Sequence, residues 1–111
     1  MISRRHLAAA AAVSVLLGTA LTGCGDKASS EVTLTVGATP VPHADILKFI
    51  APALKKEGIN LKVVEFSDYV KPNLALADKE LDANFFQHVP YLESFAGERN
   101  LKLSVLCAVH I

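Results

Sequence analysis

The sequence predicts an α/β domain built on a parallel sheet, with elements in the order β-α-β-α-β-α-β. Three observations carry that expectation. Short apolar runs are too continuous for strands covered on one face only, stripes at helical spacing lie between them, and turn or capping residues mark the junctions. Strands separated by helices imply right-handed crossovers and hence a parallel sheet.

Val32 to Ala38 is the first strand, running into the turn formers Thr39-Pro40-Val41-Pro42. The first helix carries Ile46, Leu47, Ile50, Ala53 and Leu54 on one face. Its charges agree with the helix dipole, because Asp45 lies in the first turn and Lys55 and Lys56 in the last. Gly58 is placed to take the left-handed position just beyond the end. Pro52 opposes this assignment, since inside a helix it removes one hydrogen bond, and it predicts a kink or an early end.

Ile59 to Phe66 is a second strand, apolar apart from Asn60, Lys62 and Glu65. Asp68 can cap a second helix over Tyr69 to Asp78, with Pro72 near enough to its start to be tolerated. Leu81 to Phe86 is a short third strand, Pro90 opens a third helix through Glu98, and Leu101 to Val109 is a fourth strand. Ligands of open α/β sheets bind beyond the carboxyl ends of the strands. The first three strands bring Thr39 to His43, Ser67 to Tyr69 and Phe86 to His88 to that edge.

The N-terminus is a targeting segment. Arg4 and Arg5 form a positive region, Leu7 to Leu17 is an eleven-residue apolar run, and Leu21-Thr22-Gly23-Cys24 closes it with small residues before a cysteine. A membrane-spanning helix needs about 20 apolar residues, so the run reads as a signal h-region. The domains expected are residues 1–23, a lipoprotein signal peptide, residues 24–30, a lipidated tether, and residues 31–111, the folded part. An ordinary secretory signal with a cysteine nearby is the alternative, and Ser3-Arg4-Arg5-His6-Leu7 carries a weak twin-arginine hint.

Without residues 1–23, nine basic residues face eleven acidic ones, a net charge of −2 with His neutral. No basic field argues for nucleic acid. Cys107, inside the apolar run Leu103 to Val109, is expected to be a buried structural thiol. With His110 three residues away on a strand, pointing to the opposite face, a nucleophile-base pair is not expected there.

Residues 82–91, Asp82-Ala83-Asn84-Phe85-Phe86-Gln87-His88-Val89-Pro90-Tyr91, combine three aromatic rings, two amides and an imidazole. That mixture suits a ligand pocket, with apolar walls and a few placed polar groups. Binding is therefore expected, without catalysis and without a cofactor. Phe85 and Phe86 must face opposite ways on a strand. Tyr69 suits a pocket as well as a surface, and His88 and Tyr91 can serve merely as helix cap and staple. Asn84 and Gln87 can bind ligand or support the loop.

Four blocks resemble the methionine-binding lipoproteins of bacterial ABC importers, the NLPA lipoprotein family. They are Val36-Gly37-Ala38-Thr39-Pro40-Val41-Pro42-His43-Ala44, Phe66-Ser67-Asp68-Tyr69-Val70-Lys71-Pro72-Asn73, Leu76-Ala77-Asp78 and residues 82–91. The resemblance runs from about Glu31 to Ile111 and implies the first lobe of a two-lobed periplasmic-binding-protein fold, here expected to be truncated, with the last strand left partly uncovered and stability marginal. It implies Tyr69, Phe86, His88 and Tyr91 as walls around a methionine side chain. It implies lipid on Cys24, a lipid-anchored position on the bacterial cell membrane facing the periplasm or exterior, and permease and ATPase subunits as partners. Family members hold the amino-acid backbone through an Arg and an Asn from later segments. The one arginine after residue 23 is Arg99, so binding by this chain alone is expected to be weak or absent. Another function class is a metal-binding lipoprotein using His43, His88 and His110, though their spacings of 45 and 22 residues form no metal motif. An enzyme built on His88 or Cys107 has no nucleophile elbow, P-loop or HExxH to support it.

Overall fold

The structure, a computed structural model, describes residues 30–110. The signal segment, Cys24 and all but the last residue of the expected tether lie outside the described residues. The strands are β1 (Val32–Ala38), β2 (Ile59–Glu65) and β3 (Ala83–Phe85). The helices are α1 (Asp45–Lys56), α2 (Lys71–Ala77) and α3 (Val89–Arg99), and a single wide turn, Pro40–Ala44, precedes α1.

The three strands form one parallel sheet in the order β2-β1-β3. β1 pairs along its whole length with β2, from Val32 opposite Ile59 to Ala38 opposite Glu65, but meets β3 only from Val36 to Ala38. Asp82 pins the entry of β3. Its carboxylate accepts the Thr35 N–H at 2.7 Å, and its own N–H donates to the Thr35 carbonyl at 2.8 Å.

Helices cover both faces, as a parallel sheet requires. On one face Leu47 of α1 packs with Val36, Ala38 and Ala44, joined by the half-buried Leu61, Val63, Ala83 and Phe85. On the other, the bare backbone of Gly37 leaves room for the side chains of Asn84, Leu81 and Phe66. A Cβ on Gly37 would lie 2.6 Å from Asn84 Oδ1, 2.7 Å from Leu81 and 3.0 Å from Phe66. Val32 and Leu34 are exposed while Val36 and Ala38 are buried, so the core sits at the carboxyl end of the strands.

Several expected boundaries shift. α1 continues through Pro52 to Lys56 and ends at Gly58 with φ +81°, as expected for the left-handed position, so Pro52 does not end it early. Its apolar stripe is buried mainly at Leu47, and Ile46 and Ile50 face an open groove. α2 begins two residues later than expected. Asp68 still serves its start, its Oδ1 accepting the Val70 N–H at 2.9 Å and the Lys71 N–H at 2.8 Å. The Lys71 N–H first, with smaller help from Val70, holds the Asp68 carboxyl below its ordinary value.

The expected fourth strand is not formed. Residues 101–110 run without a ladder partner, and the Leu101 N–H instead closes α3 on the Ala96 carbonyl at 2.9 Å. β propensity measures fit to a neighbouring strand, and only three residues of β3 lie on that side of the sheet. Leu106 is 84% exposed. Cys107 is exposed as well, so it is not the buried structural thiol expected from the apolar run around it. Among the described residues no helix is long and apolar enough to cross a membrane.

Candidate functional site

A pocket of about 320 Å³ opens beyond the carboxyl ends of the strands, lined by His43, Tyr69, Phe86, Gln87, His88 and Tyr91. All four residues expected as walls, Tyr69, Phe86, His88 and Tyr91, line it. Phe86 follows the last residue of β3 and is only 7% exposed, so its ring forms the floor. Phe85 points to the opposite face, where its ring meets the His43 imidazole edge-on at 4.7 Å and joins the α1 core.

The two tyrosines stand as walls. Tyr69 lies nearly parallel to Phe86, with centroids 6.0 Å apart and planes 11° from parallel. Tyr91 is set at a steep angle to both, 6.4 Å from Tyr69 and 6.3 Å from Phe86. The three centroids form a near-equilateral triangle, giving one apolar group access to faces and edges of three rings. Tyr91 reaches across from the first turn of α3, its hydroxyl donating to the Tyr69 carbonyl at 2.7 Å. It is therefore a tie between two elements, where a helix staple was the other reading. His88 occupies the cap position of α3 without a side-chain capping bond, so the cap reading does not account for its imidazole.

Asn84 and Gln87 support the loop, the structure choosing between the two readings the sequence left open. Gln87 exchanges two hydrogen bonds with Asn73 of α2, at 2.7 and 2.8 Å. Asn84 donates to the Pro72 carbonyl at 2.8 Å and to Asn73 Oδ1 at 3.2 Å. Asn84 Oδ1, turned toward Gly37, is buried without a partner.

His43 and Gln87 line the pocket without having been singled out as walls. The sequence signal for His43 is its position at the end of the first strand, among the residues brought to the carboxyl edge of the sheet. The Thr39 hydroxyl meets His43 Nδ1 at 2.7 Å, and the His110 ring stacks on it at 5.6 Å. Burial first, then the charges of His110 and His88, hold the His43 imidazole below its ordinary value of 6.5. His43 thus gives up its proton more readily in the folded chain than in the unfolded one. Its contribution to stability is whole above about pH 6.5 and is lost as pH falls through that value toward the lower folded pKa. Urea midpoints should accordingly drop between about pH 7.5 and about pH 5.5, with a smaller drop for His43→Gln.

Among the described residues no three His, Cys, Asp or Glu side chains gather to hold a metal. His43 and His110 stack ring on ring, so the metal-binding alternative finds no ligand set here. The pocket lining contains no guanidinium. Arg99 lies over the Phe95 ring at 4.0 Å and pairs with Glu98.

A parallel α/β sheet with an aromatic pocket at its strand ends is the architecture of a small-molecule-binding unit. The NlpA lipoprotein family model matches residues 34–111, and the chain belongs to that family. A methionine-binding lipoprotein of Bacillus subtilis is 47% identical over 95 residues, covering 82% of this chain and 35% of the relative. A D-methionine-binding lipoprotein of Escherichia coli is 38% identical over 95 residues, covering 84% of this chain and 35% of the relative. Among solved structures, a nutrient-binding protein of Burkholderia cenocepacia bound to methionine is 46% identical with a TM-score of 0.57, matched over 60% of this chain and 28% of its own. The chain therefore spans about a third of the length of the curated relatives it matches.

Proposed function

We propose that this chain belongs to the membrane-anchored substrate-binding component of an ABC importer for methionine, and that it acts by binding rather than catalysis. Residues 1–23 are the signal peptide, residues 24–30 the tether with lipid on Cys24, and residues 31–111 part of the first lobe. Several acyl chains on one cysteine would hold the protein at the bacterial cell membrane, facing the periplasm or exterior, beside the permease and ATPase subunits it supplies.

The observation that carries this reading is the triangle of Tyr69, Phe86 and Tyr91. A thioether is polarizable and gains about 0.3–1.5 kcal/mol from an aromatic edge, so such a triangle favours methionine over shorter aliphatic side chains. His88 and His43 also line the pocket and add polar edges to it. With no guanidinium in the lining to fork the ligand carboxylate, affinity rests on the side chain and is weak in this chain by itself.

Fluorescence tests it directly. Tyr69 and Tyr91 are the only tyrosines and there is no tryptophan, so intrinsic emission reports the pocket alone. Titration of residues 24–111 with methionine should change the emission saturably at millimolar concentration, with alanine giving no change. An identical response to alanine and methionine would count against a methionine site.

A further inference from the structure

Asn73 does not line the pocket, yet the wall-bearing segments converge on it. It is 0% exposed, at the third position of the seven-residue α2. The turn just before α2 carries Tyr69, the passage from β3 to α3 carries Phe86 and His88, and the first turn of α3 carries Tyr91. Two polar ties join these segments. The outer one is the exposed hydrogen bond from the Tyr91 hydroxyl to the Tyr69 carbonyl. The inner one is the reciprocal amide pair of Asn73 and Gln87, backed by the two bonds from Asn84 Nδ2.

We propose that Asn73 is a positioning residue for the aromatic pocket, its side-chain amide fixing the β3–α3 passage against α2 so that Phe86 and Tyr91 are held at their spacing from Tyr69. An amide is the side-chain group of this size that donates and accepts at once, and both functions are used here. Its N–H donates to Gln87 Oε1, and its oxygen accepts from Gln87 Nε2 and Asn84 Nδ2. In a buried setting such a network rigidifies when complete and costs most when half complete, because the group left behind has no water to replace its partner. Rings held by supporting hydrogen bonds, instead of by ligand, are ready to bind before the ligand arrives. The inference rests on the proposed methionine reading for its ligand but not for its geometry, so the two can fail separately.

The test uses residues 24–111 with two substitutions and two readouts. Ring-to-ring NOEs among Tyr69, Phe86 and Tyr91 report the spacing without ligand, and tyrosine emission reports methionine binding. Asn73→Leu keeps the volume and removes the amide. It should lose the Tyr69–Phe86 and Tyr91–Phe86 NOEs and weaken the methionine response by about tenfold, the equivalent of one lost hydrogen bond of ordinary strength.

Asn73→Asp separates positioning from mere stability. Ionised, the carboxylate can accept but cannot donate to Gln87 Oε1. Protonated, it again offers one donor and one acceptor. Its NOEs and methionine response should therefore be weak at about pH 8 and recover toward wild type at about pH 5, beyond any change in the wild-type protein. Subtracting the wild-type response at each pH removes whatever the ionisable neighbours of the pocket, His43, His88 and His110, contribute in both proteins. Unchanged NOEs in Asn73→Leu, with only a lower melting temperature, would overturn the proposal. So would NOEs in Asn73→Asp that do not depend on pH, and this second variant decides the matter if the first does not fold. If wild type itself does not respond to methionine, the ligand reading fails while the NOEs still judge the positioning role.

Discussion

Phe86→Ala should remove about 3–5 kcal/mol of folding stability, the usual cost of emptying a buried phenylalanine site, and should abolish the response to methionine. The ring is 7% exposed and contacts both tyrosines of the pocket, so one deletion opens a cavity beneath the site and takes away its floor. Loss of that size is a large part of the roughly 5–15 kcal/mol available to a small domain, and a broad or absent melting transition is the expected signature. Phe86→Leu separates packing from recognition. It fills much of the volume and should cost about 1.5 kcal/mol, yet without a ring it should still lose methionine. Full stability in Phe86→Ala would mean that the floor of the pocket is not closed as described.

Gly37→Ala should destabilise by about 3 kcal/mol although it adds one methyl group. The new carbon would meet Asn84 Oδ1 at 2.6 Å and Leu81 Cδ1 at 2.7 Å, distances at which something must move. Asn84 cannot yield freely, because its Nδ2 is held by Pro72 and Asn73. Displacing it would loosen the same amide network that ties Gln87, so binding should weaken along with stability. Gly97→Ala provides the control. Its added carbon meets nothing within 4 Å in α3, and the gain in helix propensity should stabilise by about 0.5–1 kcal/mol. Thermal melts of the two variants should move in opposite directions.

Much of the architecture was legible in residue patterns because local chemistry specified it. The parallel strand-helix alternation, Asp68 at the start of α2 and Gly58 beyond α1 each follow from a short-range rule that the tertiary structure does not contradict. Convergence of the wall residues was legible for the same reason, since strand ends collect what the sequence places after each strand. The failures lie where the answer depends on a distant neighbour. Residues 101–109 read as a strand from composition, but a strand is defined by an edge to pair with. Cys107 read as buried on the same ground and is exposed for the same reason. Asn73 was visible only as the end of a motif. Its partner lies 14 residues away on another element, and no periodicity announces an amide pair.

Transferred NOEs from the ε-methyl group of added methionine to the rings of residues 24–111 test the central claim most directly. The sequence contains a single methionine, Met1, so residues 24–111 contribute no methionine methyl signal of their own. Cross-peaks from that methyl to Tyr69, Phe86 and Tyr91 together are expected, all lost in Phe86→Leu. Cross-peaks to Val105, Leu106 and Val109 instead, with none to the three rings, would contradict it.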